Sequence, residues 1–375
     1  MKLLIVDEVI IAGGMDTLRR QLVPELAKLV DDIVWVLPGY AAGNFREIAE
    51  QSGNVAIETL NSPGGIPRIR EAVARRLGGE IPRSLVNERL SRLAHGCDVC
   101  LTTCVFGQEM PGVDLPIAGY VADINPELPA DILNNIGSWV ERSSATFGIS
   151  DFTCAELRRL KPGRPIHSIP LAPGSARPAC KGRRGHFFYP AAPNAHKGHL
   201  TLLEAARGLA GRGLDYQLTF SGAGMDRDGN AVVGRMRSFL AENRLMMDGR
   251  VVIAGDVAAM KVEALFAEAS CIVLPSTYEG FGLPLAEALT YGKRVICTDI
   301  PPFREQIERH GCDRLATFVP PDDAVALEKA MASHLADGDA PALTAEELRE
   351  RLGRWTWADA ARRCKGLLEG VAGDG

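Results

Sequence analysis

CIVLPSTYEGFGLPLAEALTYGKRVICTDIP, residues 271–301, is the stretch on which the reading of the fold turns. Residues 271–274 form a short apolar run, and residues 275–283 carry turn and glycine chemistry. Pro284 suits the first turn of a helix, and residues 294–298 are again apolar and β-branched. The order strand, loop, helix, strand is a β-α-β unit, which implies parallel pairing. Glu279 lies in the loop and Glu287 in the first turn of the helix. The backbone amides of Gly280, Phe281 and Gly282, together with the helix start, form an expected anion site at the carboxyl end of a strand. Such a loop is suited to phosphate and sugar.

The same alternation extends outward on both sides. In the second half, strands are expected at 187–189, 216–221, 251–254, 295–298 and 316–319. Helices are expected at 199–210, 231–243, 258–269, 284–291, 303–310 and 322–336, each following a strand. In the first half, strands are expected at 2–6, 33–37, 55–58, 98–102, 117–121 and 145–149. Helices lie between them, one over 66–77 and another after Gly13-Gly14 with Leu18, Leu22 and Leu26 on its apolar face. The amphipathic pattern lapses over 161–185, where proline, glycine and basic residues accumulate, and this segment is read as an interdomain connection. The fold class is therefore α/β, with two Rossmann-like doubly wound domains, residues 1–170 and 185–354. A final helix over 355–375 has apolar residues at helical spacing.

With 375 residues and 46% hydrophobic composition the chain can fill two cores. A formal net charge of −5 gives no global attraction to nucleic acid. No apolar run approaches the length of a membrane span, and the start lacks the cationic region and cleavage site of a signal peptide. The expected location is cytoplasmic, with peripheral contact at the inner membrane surface still open to the protein. Nine cysteines scattered through apolar segments fit reduced thiols. His95, Cys97, Cys100 and Cys104 have metal-like spacing, but they fall on an expected buried strand whose successive side chains alternate in direction, which favours structural cysteines. No metal site is expected.

The string Y-E-G-F-G-L-P-L-A-E-A, with Glu279 and Glu287 eight positions apart, resembles the E-x7-E signature of the retaining glycosyltransferases of family 4-like, group 1 type, which have a GT-B fold. That resemblance implies two domains facing across a cleft, with the final helix packing back on the first. It implies transfer of a hexose of mannose or glucose type from a UDP- or GDP-linked sugar to a hydroxyl, in glycan or polysaccharide biosynthesis and without a cofactor or metal. The acceptor, whether glycan, lipid-linked or small molecule, is left open.

The resemblance also implies roles for individual residues. Tyr189-Pro190-Ala191, then His196-Lys197-Gly198-His199 and a helix, is similar to the family's phosphate-lysine segment. Lys197 takes the diphosphate charge and, with Glu279, is a candidate catalytic residue. Glu279, Gly280, Phe281, Gly282 and Leu283 hold the sugar hydroxyls and diphosphate, and Glu287 holds the ribose. Gly222 and Val257 sit in glycine-rich loops that wall the nucleotide, and Gly14 approaches the donor from the first domain. The sequence departs from the family in two places. Ala192 or a neighbour stands where many members carry an arginine, and Ala122 precedes Asp123 where a histidine is common, so Asp123 is read as a turn or cap residue. A non-catalytic nucleotide-sugar-binding protein of the same fold is the alternative. A dinucleotide-dependent oxidoreductase is disfavoured, since no G-x-G-x-x-G closes the first β-α turn.

Overall fold

A computed structural model describes residues 1–10, 14–60, 83–106, 108–125, 127–178, 182–227, 229–244, 249–337 and 343–373. The helix expected over 66–77 lies outside them. The chain divides into two compact units, Met1–Leu171 with Trp357–Gly375, and Ala172–Thr356.

The first unit is built on a parallel seven-stranded sheet. Its strands are β1 (Lys2–Val6), β2 (Asp32–Leu37), β3 (Val55–Thr59), β4 (Val99–Thr102), β5 (Ile117–Val121), β6 (Ala145–Gly148) and β7 (Ile166–Ser168), in the order β3-β2-β1-β4-β5-β6-β7. Its helices are α1 (Gly14–Ala27), α2 (Arg46–Ser52), α3 (Arg83–Ala94), α4 (Ala130–Arg142) and α5 (Asp151–Leu160). On α1, Leu18, Leu22 and Leu26 are all buried. Cys97, Cys100 and Cys104 are buried too, and desolvation pushes the Cys104 thiol up to about 12. These cysteines act as apolar filler.

The second unit carries a parallel six-stranded sheet. Its strands are β8 (Arg183–Pro190), β9 (Gln217–Ser221), β10 (Val251–Gly255), β11 (Ala269–Leu274), β12 (Arg294–Thr298) and β13 (Ala316–Val319), in the order β10-β9-β8-β11-β12-β13. The helices are α6 (His199–Gly211), α7 (Ala231–Glu242), α8 (Ala259–Glu268), α9 (Leu283–Thr290), α10 (Pro301–His310), α11 (Ala324–Asp337) and α12 (Ala345–Leu352). The terminal helix α13 (Trp357–Gly373) belongs to the first unit and packs on α1. No helix among the described residues is long and apolar enough to cross a membrane.

Two expectations need correction. The segment 161–185 is not all connection, because Ile166–Ser168 pairs in parallel with β6 as the edge strand β7. Three residues amid proline and glycine give too little periodicity to register as a strand, and the pairing comes from the sheet edge. In the second half not every helix follows a strand, since α12 follows α11. It begins at a capping box in which the Thr344 hydroxyl accepts from the Glu347 amide at 3.1 Å and the Glu347 carboxylate accepts from the Thr344 amide at 2.7 Å.

At the carboxyl end of β1, the fully buried Asp7 carboxylate organises the neighbouring loops. It accepts from Arg19 Nε at 3.2 Å, Trp35 Nε1 at 3.1 Å, and the amide and hydroxyl of Thr103 at 3.0 and 2.8 Å. Arg19 is also fully buried, and its Nη2 donates to the Val9 carbonyl at 3.2 Å. Removing one partner strands the other charge in the interior. Asp7→Ala should lower unfolding stability by about 3–5 kcal/mol. Asp7→Leu combined with Arg19→Met should recover much of that loss. Urea unfolding measures both, and an unshifted midpoint for Asp7→Ala would refute the role given to this pair.

Candidate active site in the second unit

The strand order of the second sheet sets the location. β8 continues through α6 to β9 on one side, while β11 continues through α9 to β12 on the other. The topological switch point therefore falls between β8 and β11, where α/β sheets bind ligands beyond the carboxyl ends of their strands. Lys197 comes from the loop after β8 and Glu279 from the loop after β11. Their side chains meet there, with Nζ to Oε1 at 2.7 Å and side-chain exposures of 18% and 10%.

The backbone fixes both loops. The buried Tyr189 at the end of β8 donates its hydroxyl to the Lys197 carbonyl at 2.5 Å and lies 3.3 Å from Ser276 Oγ. Burial holds that phenol protonated by raising its pKa well above the ordinary value. The His196 carbonyl accepts from the Thr277 amide at 2.8 Å, joining the two loops directly. Gly198 starts α6 with φ of 65°, a left-handed conformation, and a Cβ there would run into the Pro275 carbonyl. Glycine is thus required where the β8 loop crosses the β11 loop. Beside it, His199 is buried between Tyr189 and Phe220, and desolvation lowers its pKa to about 4. With the ring neutral, its Nε2–H donates to the Ala191 carbonyl at 3.4 Å. Lys197 is left as the cation that meets Glu279.

After Glu279, the chain passes through the buried Gly280, Phe281 and Gly282 into α9 at Leu283. The first amides of a helix have no intrahelical acceptor, and their partial positive charge suits an anion. Gly222 lies at the carboxyl end of β9, where its amide donates to the Gly255 carbonyl at 3.1 Å, and Val257 follows β10. The loops carrying Lys197, Gly222, Val257 and Glu279 thus all leave carboxyl ends of strands in this sheet. Gly14, by contrast, is the exposed first residue of α1 in the other unit, and Gly13 lies outside the described residues. Ala192 stands in the loop after β8, the place where many members of the family it resembles carry an arginine. Ser276, Thr277 and Gln306 have no role in the sequence reading, and Tyr189 enters it only as the first residue of the phosphate-lysine segment. Tyr189 and Thr277 sit within motifs that could have drawn attention, whereas Gln306 carries no local signal.

Glu287, expected in the first turn, lies instead in the second turn of α9, because the helix already begins at Leu283. Its pKa is raised to about 7, chiefly by desolvation, with Arg177 opposing the rise and Glu263 adding to it. Its side chain keeps a solvent-exposed face, which limits that desolvation. Arg177 is itself anchored nearby, donating to Glu263 at 3.0 Å, with its amide bonded to the Thr290 carbonyl at 2.8 Å.

Residues 179–354 match the family described as glycosyl transferases group 1. Over 188 residues the chain is 30% identical to phosphatidyl-myo-inositol mannosyltransferase of Mycobacterium tuberculosis. That stretch is 48% of this chain and 45% of the relative, so the chain spans under half the length of the curated relative it matches. The fold is similar to that of Alr3699/HepE of Anabaena in complex with UDP-glucose. The TM-score is 0.72 at 17% identity, covering 99% of this chain and 100% of that one. Sucrose-phosphate synthase of Thermosynechococcus elongatus gives a TM-score of 0.71 at 18% identity over the whole of both chains. The two parallel sheets with their flanking helices are those of the GT-B fold, each unit being Rossmann-like.

The raised pKa of Glu287 gives a signed prediction. Between the ordinary carboxylate value and about 7, the folded state holds a proton that the unfolded chain has released. This group's contribution to stability is therefore fully present below the ordinary value and is lost as pH rises through 7. Glu287→Gln cannot titrate, so its denaturation midpoint relative to the parent protein should improve steadily from pH 5 to pH 8. A pH-independent difference would contradict this.

Proposed function

We propose that this protein is a retaining glycosyltransferase that moves a hexose of mannose or glucose type from a UDP- or GDP-linked sugar to a hydroxyl acceptor. The observation that carries this reading is the 2.7 Å pair of Lys197 and Glu279 at the switch point, beside a loop that opens into the amide end of α9. An ammonium, a carboxylate and a row of backbone amides are what a sugar diphosphate requires. Lys197 and the amides from Gly280 to Leu283 face the phosphates, Glu279 accepts sugar hydroxyls, and Glu287 accepts the ribose hydroxyls. Gly222 and Val257 border the nucleoside, and Gly14 approaches from the first unit.

In the proposed reaction the bond from the anomeric carbon to the β-phosphate oxygen breaks. The acceptor oxygen forms its new bond on the same face, and the acceptor proton passes to the leaving phosphate. No separate protein base is needed, and the anomeric configuration is retained. The growing negative charge on the diphosphate is what the site must stabilise. This reading assigns no metal a role, so chelation should leave turnover intact. The mannosyltransferase relative supports mannose as the first sugar to test. Its acceptor, unlike the donor chemistry, has no counterpart argued from these residues.

The test is a panel of UDP-, GDP- and ADP-sugars, followed by thermal shift and by release of nucleoside diphosphate. Transfer should produce the donor's anomeric configuration by proton NMR, and an inverted product would overturn the retaining assignment. Lys197→Ala should lower kcat by about 10²–10³, or roughly 3–4 kcal/mol, with a smaller effect on donor binding, because the charge contact tightens in the transition state. Lys197→Arg should restore part of the rate. Near-normal kcat in a folded Lys197→Ala protein would mean that the diphosphate lies elsewhere.

A further inference from the structure

The loop that opens α9 has a support outside the family string. Gln306, in the second turn of α10, is 2% exposed, and its Nε2 donates to the Phe281 carbonyl at 2.5 Å and to the Gly282 carbonyl at 3.4 Å. The Gly282 carbonyl also accepts from the Leu285 amide at 3.0 Å. The side chain can face this way only with its amide group outermost, since the opposite flip would set Oε1 against two carbonyl oxygens. Oε1 is consequently buried without a hydrogen-bond partner. An orphaned buried acceptor is unfavourable for the fold alone and calls for another reason to be there. Phe303, one turn earlier on α10, lies where a Cβ on Gly282 would be, and Gly282 has φ of 88°. Two residues of α10 therefore hold this bend from behind.

In a trans peptide the carbonyl and the following amide point in opposite directions. Drawing the carbonyls of Phe281 and Gly282 toward α10 thus turns the amides of Gly282 and Leu283 the other way. We propose that Gln306 is a positioning residue for the donor diphosphate, holding the Gly282 and Leu283 amides toward the phosphates without touching the ligand. This rests on the glycosyltransferase reading above.

Calorimetry on the full chain separates this role from a structural one, using UDP and GDP as diphosphate probes and uridine and guanosine as their phosphate-free counterparts. Gln306→Met keeps the length of the side chain and loses the donor. Gln306→Glu keeps the shape and presents oxygen to both carbonyls. Whichever diphosphate the parent protein binds should bind about tenfold more weakly to Gln306→Met, the loss expected when charge-assisted amide contacts are misaligned, and more weakly still to Gln306→Glu. Nucleoside affinity should stay unchanged in both. Either folded variant suffices for the comparison. Equal losses for nucleoside and diphosphate, or no loss for diphosphate, would overturn the positioning role while leaving the glycosyltransferase reading in place. If the parent protein binds neither UDP nor GDP, both fall together.

Discussion

The site in the second unit follows from a constraint on parallel sheets. Neighbouring parallel strands cannot be joined by a tight turn, so each connection must cross over through a helix. Between β8 and β11 the crossovers depart in opposite directions, and the carboxyl ends of these two strands share a gap that no connection of their own spans. The features of the site are fitted to that gap. Tyr189 pins the Lys197 backbone, Thr277 ties down His196, and Gly198 allows the two loops to cross against Pro275. Without these contacts the lysine and the carboxylate would be loop side chains with many rotamers to lose.

Several strands were legible because they are buried on both faces, as residues 269–274 and 117–121 are. Such strands read as continuous apolar runs, and residues 117–121 were delimited to the residue. Lys197 and Glu279 were singled out through the resemblance that the segments around them carry, each segment lying a few residues beyond such a run and beside glycine. What escaped depends on distance in sequence. The edge strand β7 takes its conformation from β6, and Gln306 takes its importance from carbonyls 25 and 24 positions earlier. The Asp7 and Arg19 pair joins residues 12 apart, yet its burial depends also on Trp35 and Thr103, which no local pattern links to them. Helix α12 is the reverse case, because its capping box is a purely local signal in T-A-E-E that went unread.

The two ion pairs illustrate different uses of charge. Asp7 and Arg19 are sealed from water, and the carboxylate is satisfied by four donors, so the pair fixes the loop after β1 against the one after β4. Lys197 and Glu279 remain within reach of solvent. Such a pair loses less hydration and retains the freedom to admit a third charged group.

That freedom gives the Lys197–Glu279 contact a meaning for the empty protein. A lysine without that partner would have many rotamers open to it, and its alignment would have to be rebuilt whenever an anion arrived. Here the Glu279 carboxylate holds the Lys197 side chain in one place, with Nζ to Oε1 at 2.7 Å. On the glycosyltransferase reading proposed above, an incoming diphosphate exchanges one negative partner of the lysine for another, and the carboxylate released from that contact is left facing the hydroxyls of the same ligand.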